Sequence, residues 1–145
     1  MKKVFFMCLL SFFTITLLAS NDKKCVDVVN LPDKAENFIF NNFPNVGVCK
    51  VFEDTEFRGR TYEVRLKNGV KIYFTIDGEW KEIDYGKNEV SNHLIPFHIK
   101  EKMLNRFPNN KIVKIKRCRK EIEVTLDNDV EVTFNKRHTI IDIDD

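Results

Sequence analysis

The run from Tyr62 to Trp80 is the strongest constraint on the fold. Apolar residues fall at 62, 64 and 66, then at 70, 72, 74 and 76. A period of two marks strands with one buried face. Asn68-Gly69 and Asp77-Gly78 interrupt the alternation, and both dipeptides tolerate the positive φ of a tight hairpin turn. The pattern predicts an antiparallel meander whose third strand begins at Trp80.

A helix is expected just before it. Leu31-Pro32-Asp33 puts proline in the first turn, where its missing N–H has no helical partner. Ala35, Ile39 and Phe43 share a stripe at spacing four, with Phe38 beside them, so one face is apolar. Phe43-Pro44-Asn45 closes the run, because the residue before a proline is pushed out of the helical region. Val46 to Phe52 reads as a further strand, and Glu53 to Arg60 as a polar loop.

The design then recurs. Leu31-Pro32 matches Ile95-Pro96; Ala35, Ile39 and Phe43 match Ile99, Met103 and Phe107; Val48 to Phe52 matches Ile112 to Lys116. The next loop is shorter, so Tyr62, Val64 and Leu66 match Ile122, Val124 and Leu126, and Val70, Ile72 and Phe74 match Val130, Val132 and Phe134. Asn68-Gly69 becomes Asn128-Asp129, and Asp77-Gly78-Glu79-Trp80 becomes Arg137-His138-Thr139-Ile140, a poorer turn on the same frame. The expected class is α+β. Each of two tandem repeats supplies one helix and a four-stranded antiparallel meander, with both helices on one face of the sheet. Repeat one spans 31–85 and repeat two 95–145, with 86–94 as connector. Residues 21–30 form an extended lead-in whose Val26, Val28 and Val29 suit an added edge strand.

Lys2 and Lys3, an apolar run from Val4 to Leu18, and the small residues Ala19 and Ser20 predict a cleaved export signal over 1–20. The run is short of the roughly 20 residues of a membrane span, so no membrane insertion is expected after cleavage. The expected location is the bacterial periplasm or outside the cell. Loss of the signal takes Lys+Arg from 24 down to the 22 of Asp+Glu, leaving no basic footprint for nucleic acid. Lys111 to Lys120 is locally basic and reads as the solvated side of a strand and its turn. Cys25, Cys49 and Cys118 remain, an odd number, so at least one thiol is left over or pairs between molecules.

These residues resemble a known group. Leu31-Pro32, Phe43-Pro44, Tyr62-Glu63-Val64, Asn68-Gly69 and Asp77-Gly78-Glu79-Trp80 are similar to the repeating unit of the PepSY-like periplasmic proteins, a family with a fold like the β-lactamase inhibitor protein. The resemblance runs from Leu31 to Ile143 and departs from the pattern at Asp129 and over 137–140. It implies a tandem helix-plus-meander fold in the cell envelope and, by analogy of fold, a protein-binding or inhibitory role.

No catalytic constellation is legible, and no cofactor or metal is expected. His93 and His98 stand five apart across a proline, off any shared helical face, and no Cys-x-x-Cys accompanies them. Cys49 alternates with Val51, which predicts a small buried residue. If Tyr62, Val64, Leu66, Val70, Ile72 and Phe74 face the core, then Glu63, Arg65, Lys71 and Tyr73 face the other way, joined by Phe57, Trp80 and Tyr85. Aromatics interleaved with arginine and charge are the composition of a binding hot spot. The expected function is therefore a non-enzymatic module that binds an envelope protein or peptide through the exposed sheet face. Two other classes compete with it: a thiol- or metal-dependent activity, and a self-assembling structural protein joined by an edge strand or the spare cysteine.

Overall fold

The computed structural model describes residues 24–26, 30–56 and 59–145. The expected export signal, most of the lead-in and Phe57 lie outside the described residues. Among the described residues the elements are β1 (Lys24–Val26), α1 (Asp33–Asn42), β2 (Val48–Glu56), β3 (Gly59–Leu66), β4 (Lys71–Thr75), β5 (Trp80–Asp84), α2 (Phe97–Arg106), β6 (Ile112–Arg117), β7 (Glu121–Leu126), β8 (Glu131–Asn135) and β9 (Ile140–Asp144), with a 3-10 turn over Asn92–Leu94. The strands form one nine-stranded antiparallel sheet in chain order. The expected loop at 53–60 is instead largely strand: β2 and β3 run on as a long hairpin to the pair Glu56 and Gly59.

A single cross-strand row holds the sheet together. Val26, Val51, Val64, Ile72, Ile83, Ile115, Val124, Val132 and Ile143 stand opposite one another from edge to edge. Every one is β-branched, the side-chain type that packs best on a pleated surface. From Val51 to Val132 the row is buried. Both helices cover this face. Ala35, Ile39, Ile99 and Met103 join the row in one core, and the Phe38 ring sits 5.8 Å from Phe74 and 6.0 Å from Trp80.

Both helices begin and end in the same way. The Pro32 carbonyl accepts from the Ala35 and Glu36 amides, and the Pro96 carbonyl from Ile99 and Lys100. Phe43 and Phe107 leave the helix with φ of −129° at their prolines.

The turns also come in matched pairs. Gly69 and Asp129 have φ of 90° and 67°, Gly78 and His138 of 82° and 56°. Gly69 donates to Leu66 O and Asp129 to Leu126 O, both at 3.0 Å; Gly78 donates to Thr75 O and His138 to Asn135 O, both at 2.9 Å. The hydrogen-bond frame thus forms even where glycine is absent. At His138 one neighbouring side chain assists: Asn135 Oδ1 accepts from the Arg137 and Thr139 amides.

Four register shifts complete the frame, between Val48 and Lys50, Ile112 and Lys114, Tyr73 and Phe74, and Thr133 and Phe134. Each inserts one extra residue and re-aims the side chains beyond it. Cys49, an extra residue, is exposed instead of buried as its alternation with Val51 predicts. Its counterpart Val113 is buried, because the connector lies on it: Tyr85 N donates to Val113 O and Val90 N to Ile112 O.

Candidate functional site

The sheet face away from the helices carries two further rows. One runs Phe52, Glu63, Tyr73, Glu82, Lys116, Glu123, Thr133 and Asp142; the other runs Lys50, Arg65, Lys71, Asp84, Lys114, Thr125, Glu131 and Asp144. Glu63 and Tyr73 are directly opposed, as are Arg65 and Lys71. The structure therefore brings together four of the expected binding residues.

Their contacts make a fixed group. Arg65 Nε donates to Glu63 Oε1 at 2.7 Å, and its guanidinium lies 4.8 Å from the centre of the Phe52 ring. Glu63 is 2% exposed although it stands on the outer face. Phe52, Tyr73 and the Arg65 stem flank it in the lattice and shield it from solvent, and the ion pair offsets the cost of that burial. The hydrogen bond and the charge of Glu63 raise the Arg65 pKa further.

Beside this group Lys116 Nζ lies 3.4 Å from Glu123 Oε1. Glu82 stands between Tyr73 and Lys116. Burial pushes its carboxyl above the ordinary range, against the pull of Lys114 and Lys116. Phe52, Glu82, Lys114, Lys116 and Glu123 were not expected at the site. For Glu82, Lys114, Lys116 and Glu123 the signal is the pairing of β5 with β6, which one repeat considered alone does not reveal; Phe52 comes from the extension of the β2–β3 hairpin, opposite Glu63.

Two expected residues lie elsewhere. Trp80 is 8% exposed and belongs to the core. Strict alternation would put it beside Glu82 on the outer face, but the extra residue Lys81 turns it inward opposite Phe74. Arg117 then closes over its ring at 3.7 Å. Tyr85 leaves the sheet after β5 and packs its ring 6.2 Å from Phe43, with its hydroxyl 3.0 Å from Ser91 Oγ. That places it on the helix side.

Away from the sheet, a cleft of about 710 Å³ lies between the C-terminal half of α1 and the start of β2, with Leu31, Ile39, Phe43 and Val46 among its lining. Cys49 and Cys118 are both exposed free thiols. Among the described residues, no group of three or more His, Cys, Asp or Glu is placed to hold a metal ion. Nor is any described helix long and apolar enough to cross a membrane.

The sequence profile of the beta-lactamase-inhibitor-like, PepSY-like family matches residues 19–74 and 60–142. The chain belongs to the PepSY-like family. Three solved structures superpose on it. A Bacteroides thetaiotaomicron protein, provisionally described as calcium-regulated and periplasmic, is 33% identical over 86% of this chain and 98% of its own, with a TM-score of 0.79. Two Bacteroides vulgatus proteins, provisionally described as periplasmic, are 32% and 31% identical over 87% and 85% of this chain and 99% of their own, with TM-scores of 0.78 and 0.80. No curated protein matches the chain. Like these relatives, this PepSY-like protein is periplasmic.

Proposed function

We propose that this PepSY-like protein is a non-enzymatic periplasmic module that binds a protein or peptide through the sheet face opposite its helices, with inhibition of a partner as one form that binding takes. We also take 31–85 and 95–145 as two copies of one helix-plus-four-strand unit, so that two outer half-faces join at the β5–β6 pair.

The observation that carries the reading is the Phe52–Arg65–Glu63–Tyr73 group. Arginine and tyrosine dominate binding hot spots. Here the arginine is already held by an ion pair at 2.7 Å and an aromatic ring. A side chain ordered before binding loses less conformational freedom when a partner docks. The family description supports an inhibitor-like role in the same sense, by kinship of scaffold.

The test is site-specific photo-crosslinking in periplasmic extract, with the photoreactive residue at Lys71 or Thr133 on the outer face and at Lys100 on α2. A discrete adduct from the first two positions, weakened by Tyr73→Ala and absent at Lys100, is expected. Equal adducts from both faces, or none from the outer one, would refute the reading.

A further inference from the structure

The two hairpin turns that face the helices share a backbone and differ in charge. Under α1 the turn is Ile76-Asp77-Gly78-Glu79, and Glu79 is paired with Lys34 at 2.8 Å. Under α2 the matching turn is Lys136-Arg137-His138-Thr139, and Lys102 Nζ donates to His138 O. The hydrogen bonds of the two turns are equivalent, so the fold does not demand this inversion. The β6–β7 turn adds Arg119 and Lys120 at the same end of the sheet.

The two turns adjoin. Two clefts of about 490 and 330 Å³ are both lined by Lys120, Glu121 and Lys136; Asn135 and Arg137 join them in the first, and Arg119 and His138 are among those that join them in the second, with Arg117, Cys118 and Ile122. Arg119, Lys120, Lys136 and Arg137 are exposed. Among the described residues none of these four enters an ion pair. Glu121 is the single acid that lines these clefts among the described residues. Four cations on two short turns repel one another, a cost the chain carries although its overall charge is nearly balanced.

We infer that these turns form a binding site for a phosphate group, separate from the outer sheet face and independent of the reading given above for that face. The cations line compact clefts instead of a long groove, which suits a small phosphate oxyanion. Arginine matches such an anion with two parallel N–H donors, and lysine adds a point charge. The same chemistry is presented by a soluble phosphate compound and by a phospholipid headgroup.

The experiment uses the mature protein at low ionic strength with two probes: inorganic pyrophosphate followed by amide chemical shifts, and vesicles of phosphatidylglycerol in phosphatidylcholine followed by co-sedimentation. Arg119→Gln/Arg137→Gln is compared with Lys81→Gln/Lys87→Gln, which removes the same charge at exposed positions elsewhere. Pyrophosphate is expected to shift amides at 118–121 and 136–139, with affinity about tenfold lower in the first variant, unchanged in the second, and falling with salt. Pyrophosphate binding without vesicle binding assigns a soluble ligand; vesicle binding lost in the first variant but not the second assigns a headgroup. Binding of neither probe, shifts centred elsewhere, or equal weakening of both variants overturns the inference.

Discussion

Arg117 lies 3.7 Å over the ring of the single tryptophan, and burial lowers its pKa against the opposing pull of Glu79. A cation held over an indole contributes about 1 kcal/mol. Arg117→Ala should therefore lower stability by about that amount in urea unfolding and move Trp80 emission to the red; an unshifted spectrum would show that the guanidinium does not cover the ring. Glu82 gives a pH dependence. Its folded pKa is raised, so the native state holds the proton more tightly than the unfolded chain does. The ionised carboxylate then costs stability, beginning near the unfolded value of about 4.3 and complete once pH passes the folded value. Glu82→Gln should raise the urea midpoint at neutral pH, with the gain fading on acidification and gone by about pH 4. A gain that grew with acid would reverse the assignment.

The turn under α1 and the turn under α2 make opposite predictions although their backbones agree. A Cβ on Gly78 would sit 2.9 Å from Lys34 Cβ and 3.0 Å from the Ala35 nitrogen and from Pro32 Cβ, at a φ of +82°. Gly78→Ala should cost about 2 kcal/mol or more, from left-handed strain plus displacement of α1. His138→Gly removes a side chain from the left-handed region and should be neutral to stabilising by up to about 1 kcal/mol; thermal melts of the two variants settle both. The helices, the turns and the inward set Val64, Leu66, Ile72 and Phe74 were legible in the sequence because proline stops, Asn-Gly pairs and period-two alternation are local signals. What escaped it depends on register. The extra residue at Cys49 exposes a side chain expected inside, and the one at Lys81 buries Trp80, expected outside. A bulge is specified by both strands of a pair, and neither strand alone announces it. Of the candidate face, Glu63, Arg65, Lys71 and Tyr73 were legible, whereas the burial of Glu63 under its neighbours was not.

At the level of the whole molecule, the pairing of β5 with β6 fuses the two halves. Ile83 and Ile115 face each other there and are buried, so Ile115→Ala should cost about 2–5 kcal/mol. Trp80 fluorescence reports the first half and far-ultraviolet circular dichroism reports both. The two unfolding curves should coincide and shift together in the variant, as one cooperative unit demands. If Trp80 reports an unchanged midpoint, the halves unfold separately. Because the strands lie in the sheet in the order of the chain, each pairs with the strand made just before it, most across a tight turn and β2 and β6 across a link that carries a helix, so loop-closure entropy stays modest at each step. A polypeptide delivered through a translocation pore leading end first would thus find every new strand's neighbour already waiting beside it, and assembly could keep pace with arrival.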